Sequence, residues 1–258
     1  MLYFDESGYT GPDLTNVSQP YFALASVKMT NDEIACLKKD IGYYEWGKEL
    51  HFKSMYTNPQ GRAILDKIFN HPLMDANHVL PSFADKRYCI YANIVNILVE
   101  TMYYNKGINL YEGAKNLILA NGLYYFAIRH PNKDLVAEFE KNFVTMVRTP
   151  SVASVADFYR TTDKLRGDTG TESGFFEMLS EIPLTIQYIK EALPYMKFYI
   201  DLTIPLFSVS VQEWYKRTGE KEDVLFDSSE PFFANKEFME YLRDMDVPET
   251  VVGYGKGK

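Results

Sequence analysis

Two kinds of hydrophobic periodicity divide this chain, and their order constrains the fold more than any other feature. Residues 2–6 (LYFDE) and 21–29 (YFALASVKM) are short, mostly apolar runs bounded by turn residues, the pattern of β-strands. From about residue 92 to 193 the spacing becomes helical: Ile94, Ile97, Leu98 and Thr101 share one face, Leu117, Leu119 and Tyr124 another, and residues 175–193 add a further long segment. Strand-like chain then returns at 197–200 (KFYI) and 224–226 (VLF), on either side of an amphipathic helix at 205–215. This order predicts one α/β domain made of residues 1–91 and 194–258, interrupted by a large helical insertion over 92–193. No internal repeat or long linker argues for an independent second domain.

Local signals refine this reading. Thr30-Asn31-Asp32-Glu33 supplies a capping residue and early acids for a helix after the second strand. A third short strand is expected around residues 50–52 and a helix over 61–69, while 86–90 reads as either strand or helix start. With 46% hydrophobic and 24% charged residues, 20 Tyr and 17 Phe, the 258-residue chain has the balance of a folded protein and not of a disordered or collagen-like one. No apolar run approaches the roughly 20 residues that span a bilayer, and the opening lacks a basic n-region and cleavage site. The expectation is a cytoplasmic protein without membrane contact. Cys36 and Cys89 lack the spacing of zinc sites and are expected to be small buried hydrophobes. A net charge of −8 argues against broad attraction to nucleic acid or anionic lipid. It leaves room for a nuclease, because a carboxylate site holding Mg²⁺ is acidic by construction.

The main chemical signal is an aspartate that recurs after strand-like runs: Asp5 after LYF, Asp201 after FYI, Asp227 after VLF. Carboxyl ends of strands form the ligand-binding edge of an α/β sheet, so acids distant in sequence can converge there. Convergent carboxylates repel one another and are stabilised by a divalent cation, here Mg²⁺ or Mn²⁺. Turn and capping behaviour is the competing explanation for any single aspartate. Glu6 follows Asp5 and alternates to the opposite strand face unless the chain turns at once, as Ser7-Gly8 would allow. In Glu49-Leu50-His51, an extended segment would place the carboxylate and the imidazole side by side, with the histidine orienting a water or acting as general acid. A surface Glu beside a half-buried His accounts for the same spacing.

His71, His78 and His130 read as structural, and Lys86 in Ala84-Asp85-Lys86-Arg87 reads as a phosphate contact or as part of a solvated charge cluster. No phosphate-binding glycine loop, G-x-S-x-G elbow or H-E-x-x-H is present, which removes the common nucleotide-binding, serine-hydrolase and zinc-protease readings.

Taken in order, Tyr3-Phe4-Asp5-Glu6-Ser7-Gly8, Gln19-Pro20-Tyr21-Phe22-Ala23-Leu24, Glu49-Leu50-His51-Phe52, Asp85-Lys86-Arg87-Tyr88, Tyr199-Ile200-Asp201 and Phe226-Asp227-Ser228-Ser229 resemble the bacterial domain-of-unknown-function family 3800 over nearly the whole chain. The resemblance implies an RNase H-like mixed sheet and a metal-dependent nuclease. It implies that Asp5 is the first-strand catalytic aspartate, with Glu6, Glu49, His51, Asp201 and Asp227 around it. Asp5, Glu6, Asp201 and Asp227 would then hold Mg²⁺ or Mn²⁺, and nucleic acid would be the partner. Phe226 stands where the family has a His and Ser228 where it has a Glu. The family's D-S-K and L-Q-x-A-D segments, the latter with a last site Asp, are not found before Lys258. Either the gene product is shortened or the sequence is part of a longer one. The missing acid leads to an expectation of weak metal binding and weak cleavage. The competing expectation is an RNase H-like interaction module that has lost catalysis and binds a protein partner or a second copy of itself.

Overall fold

A computed structural model describes residues 1–8, 11, 13–46, 49–170, 173–189 and 200–226. The architecture is mixed α/β, and two compact units are distinguished. The first comprises Met1–Ser7, Ala23–Phe83 and the chain from Leu206; the second comprises Gly8–Phe22 and Ala84–Pro205.

Strand β1 (Leu2–Ser7) and strand β2 (Tyr21–Val27) are antiparallel, with Phe4 opposite Ser26 and Asp5 opposite Ala25. Helix α1 (Asn31–Ile41) begins where the sequence signals it: the Thr30 hydroxyl accepts from the Glu33 N–H, and the Glu33 carboxylate accepts from the Thr30 N–H, a reciprocal capping box. Helix α2 (Tyr43–Trp46) follows, and then α3 (Phe52–Tyr56), where a strand was expected over 50–52. Met55 explains the difference. It is 1% exposed and belongs to a core with Ile41, Ile64 and Leu65, to which Leu50 adds; one helical turn after His51 carries it inward. Helix α4 (Pro59–Phe69) is capped by Asn58, whose side chain accepts from the Gly61 N–H. At Gly61 an added Cβ would lie 2.3 Å from the Met55 carbonyl oxygen, so glycine lets α4 approach the α3 backbone.

Strand β3 (Val79–Asp85) carries Pro81 and no clean alternation, and the sequence pattern did not reveal it. It is an end strand in the order β3-β2-β1-β4, where a proline costs no interior ladder bond. Strand β4 (Val224–Phe226) runs parallel to β1. The sheet face bearing Leu2, Phe4, Leu24 and Ser26 is buried, and the helix later in the chain at Thr203–Thr218 packs there. Phe207 lies 5.0 Å from the Phe4 ring, and the Trp214 indole N–H donates to Ser26 Oγ at 2.8 Å.

In the second unit, every element described from Lys86 to Ile189 is helical. These are α5 (Lys86–Asn93), α6 (Glu100–Asn105), α7 (Lys115–Arg129), α8 (Lys133–Arg148), α9 (Val152–Asp168), α10 (Gly174–Glu181) and α11 (Ile186–Ile189), with short π- and 3₁₀-helical pieces between them. The helix at Thr203–Thr218 is α12. An aromatic core joins α8 to α9, with Phe158 5.4 Å from Phe139 and 5.6 Å from Phe143. No helix among the described residues is long and apolar enough to cross a membrane. The expected strand at 197–200 falls on residues 197–199, outside the described residues.

Candidate functional site

Asp5 stands inside β1, not at its end, because the strand continues through Ser7. Alternation therefore turns Asp5 away from the buried side of the sheet, together with Tyr3 and Ser7, and its carboxylate is exposed. Its Oδ1 accepts a local hydrogen bond from the Glu6 N–H at 2.9 Å. Because no immediate turn occurs, Glu6 projects to the same face as Leu2 and Phe4, and the adjacent pair cannot present both carboxylates to one ion on Asp5's side.

Glu49 and His51 do come together. Leu50 between them packs on the Ile41–Met55–Ile64–Leu65 core, which directs its two neighbours outward. His51 Nε2 lies 3.1 Å from Glu49 Oε2, with side chains 67% and 80% exposed. His51 is the residue that begins α3, and its ring makes no capping bond, which leaves the imidazole available. Its backbone is held by Met55 N–H and Ser54 Oγ, both donating to the His51 carbonyl. The side-by-side placement read from the i, i+2 spacing is thus achieved by a helix start in place of a strand.

Asp201, in the second unit, is buried at 8% exposure, and its Oδ1 accepts from the Thr203 N–H at 2.9 Å at the start of α12. The bond closes a turn just before α12 begins. Asp227 lies outside the described residues. Among the described residues, no three His, Cys, Asp or Glu side chains gather in a way that could hold a metal ion. The Mg²⁺ or Mn²⁺ implied by the resemblance therefore lacks a complete ligand set in what is described, and no chemical step is routed through it.

Lys86 is neither a phosphate contact nor a member of a solvated cluster. It is 2% exposed, and Nζ donates to the Gly8 carbonyl at 2.6 Å. Burial pushes its pKa down, against the pull of the Asp13 carboxylate. Its neighbour Arg87 donates from Nε to Glu140 Oε1 at 2.7 Å, and the same oxygen receives the Tyr91 hydroxyl. Cys36 is exposed, contrary to the expected burial. Cys89 is partly buried, and desolvation pushes its thiol up to about 12, which leaves it inert as a nucleophile.

His78, expected to be structural, bridges two acids: Nδ1 to Asp75 Oδ1 at 2.7 Å and Nε2 to Glu33 Oε1 at 3.3 Å. Sequence reading passed over the face of α3 beyond His51, where Phe52 and Tyr56 are exposed; their i, i+4 spacing was the available signal. No family model matches the chain, and neither a curated protein nor a solved structure does.

Proposed function

We propose that this chain hydrolyses phosphodiester bonds, as an RNase H-like nuclease of the kind its motifs resemble. The observation that carries this reading is the exposed Asp5 carboxylate on the open face of β1, a strand with neighbours on both sides in a mixed sheet. A carboxylate on a rigid interior strand is held in place without being used up in the core, which is what a reacting site asks of its scaffold. Mg²⁺ or Mn²⁺ enters this reading through the resemblance alone, with Asp5 the suggested ligand that stands exposed on the open face of the sheet.

Glu49 and His51 supply the proton chemistry. With Nε2 paired to Glu49, the imidazole is fixed in orientation and Nδ1 is left to meet a second partner. As an imidazolium it donates a proton to the leaving oxygen, and as the neutral ring it accepts one from an attacking water. In both roles the Glu49 carboxylate, 3.1 Å from Nε2, orients the ring.

The test is cleavage of labelled single- and double-stranded DNA and RNA in millimolar Mn²⁺. Slow cleavage by the parent and none by Asp5→Asn is the expected result, since the amide keeps the shape and removes the charge. Equal rates for the two proteins would overturn the assignment. No Mn²⁺ binding and no cleavage would leave an interaction module.

A further inference from the structure

Helix α3 carries a second feature beside the Glu49–His51 pair. Phe52 and Tyr56, one helical turn apart, are 58% and 61% exposed, and their rings are near-parallel at 17° with centroids 5.6 Å apart. That separation exceeds ring thickness, so the rings are slipped sideways and present a broad aromatic surface. The helix itself is anchored from behind by Met55 and by the close approach of Gly61. The pair is therefore held outward on a fixed base.

Two cations belong to the same pair of helices. Lys53 lies on α3, and Arg62 on α4 reaches over with Nη1 3.4 Å from the Tyr56 carbonyl oxygen. Neither meets a carboxylate among the described residues. In contrast, Arg87, Arg160, Arg166 and Arg217 all sit within 3.0 Å of an acid. In a chain of net charge −8, Lys53 and Arg62 bring cations to the two helices that carry this exposed aromatic surface.

We infer that Phe52 and Tyr56 form a stacking platform for an unpaired nucleobase, with Lys53 and Arg62 meeting the phosphates on either side. Aromatic faces flanked by basic groups are how proteins hold single strands without reading their sequence, because every base has a π-face and every nucleotide a phosphate. A base pair inside a duplex hides those faces. The inference rests on the proposed nuclease reading and narrows its substrate to single-stranded or frayed nucleic acid, delivered beside His51.

The experiment is fluorescence anisotropy of a labelled short single-stranded oligonucleotide with the full chain carrying Asp5→Asn, alone and with Phe52→Leu/Tyr56→Leu added. Leucine keeps the helix and the apolar bulk and removes the ring faces. Binding weaker by about tenfold or more is expected, and Phe52→Tyr/Tyr56→Phe, which restores rings at both positions, should bind as the parent does. Lys53→Gln/Arg62→Gln should flatten the salt dependence of binding. Four results overturn the inference: unchanged affinity in the leucine variant, no oligonucleotide binding by the parent, equal loss for a blunt duplex, or a parent dimer that the leucine variant converts to monomer. The two readings fail separately. If the leucine variant binds poorly while Asp5→Asn cleaves as fast as the parent, the platform stands and the hydrolase site falls.

Discussion

A carboxylate paired with a proton-bearing partner occurs in both units of this protein, in opposite physical settings. Glu140 in the second unit is 7% exposed and takes both the Arg87 guanidinium and the Tyr91 hydroxyl on one oxygen. Burial, followed by the Glu140 charge, pushes the Tyr91 hydroxyl well above the usual phenol range. Glu49 in the first unit is 80% exposed and holds His51 in water. The comparison teaches that a strongly shifted pKa here marks the packing network and not the candidate chemistry. A group locked in a core by several partners stabilises the fold, and one held at the exposed surface stays accessible to a substrate.

The comparison predicts a graded series of effects on stability, measured by urea denaturation. Glu140→Ala should have the largest. It strands a guanidinium and a buried hydroxyl, and the loss should be about 3 kcal/mol, at the low end for a broken buried pair because Arg87 is part exposed. A loss below about 1 kcal/mol would mean that water replaces Glu140 easily and that the two settings differ less than argued. Gly61→Ala comes next, at about 1–3 kcal/mol, because its methyl group would overlap the Met55 carbonyl. It should also disturb the Phe52–Tyr56 surface, seen as weaker oligonucleotide binding.

The His78 bridge tests the same contrast through pH. His78 is raised above its ordinary 6.5, chiefly by its hydrogen bond to Asp75, against burial and with help from Glu33. Its contribution is therefore complete below pH 6.5 and is lost as pH rises through the raised value. Glu33 is lowered from 4.5, first by the Thr30 backbone N–H, and Asp75 from 3.8, first by His78. Their contributions are complete above those ordinary values and are lost as pH falls through the lowered ones. A stability plateau between about pH 4.5 and 6.5 follows, and His78→Gln should remove its alkaline edge. An alkaline edge unchanged in that variant would assign the loss to other groups.

The smallest stability effects belong to the candidate site. Glu49→Gln and Asp5→Asn should each lie within about 0.5 kcal/mol of the parent, since both side chains are exposed. Asp5→Asn should nevertheless abolish cleavage. A large destabilisation by Asp5→Asn would show that its carboxylate serves the fold, and the distinction between the two settings would collapse for that residue.

Several elements were legible in the sequence, for local reasons. The capping box of α1 lies within four residues, the helical spacing beyond residue 92 repeats over many turns, and β1 and β2 are short, mostly apolar runs bounded by turn residues. The pairing of Glu49 with His51 was legible too, because turning Leu50 inward sends both neighbours outward whether the chain is strand or helix start. Strand β3 was not, since Pro81 and a mixed burial pattern erase its period, and only its place at the end of the sheet makes the proline acceptable.

Residue types and their spacing determined which side chains were available for chemistry: an aspartate in a strand, a Glu and a His two apart, two aromatics one turn apart. Tertiary structure alone decided which of them face water. Lys86 and Asp201, equally plausible on paper, are withdrawn into hydrogen bonds with the Gly8 carbonyl and the Thr203 N–H, while Asp5, Glu49 and His51 are left exposed. The physical reason is that burying a charge is tolerated only where partners replace its water, and for Lys86 that partner lies 78 residues away in the chain, beyond the reach of any local pattern.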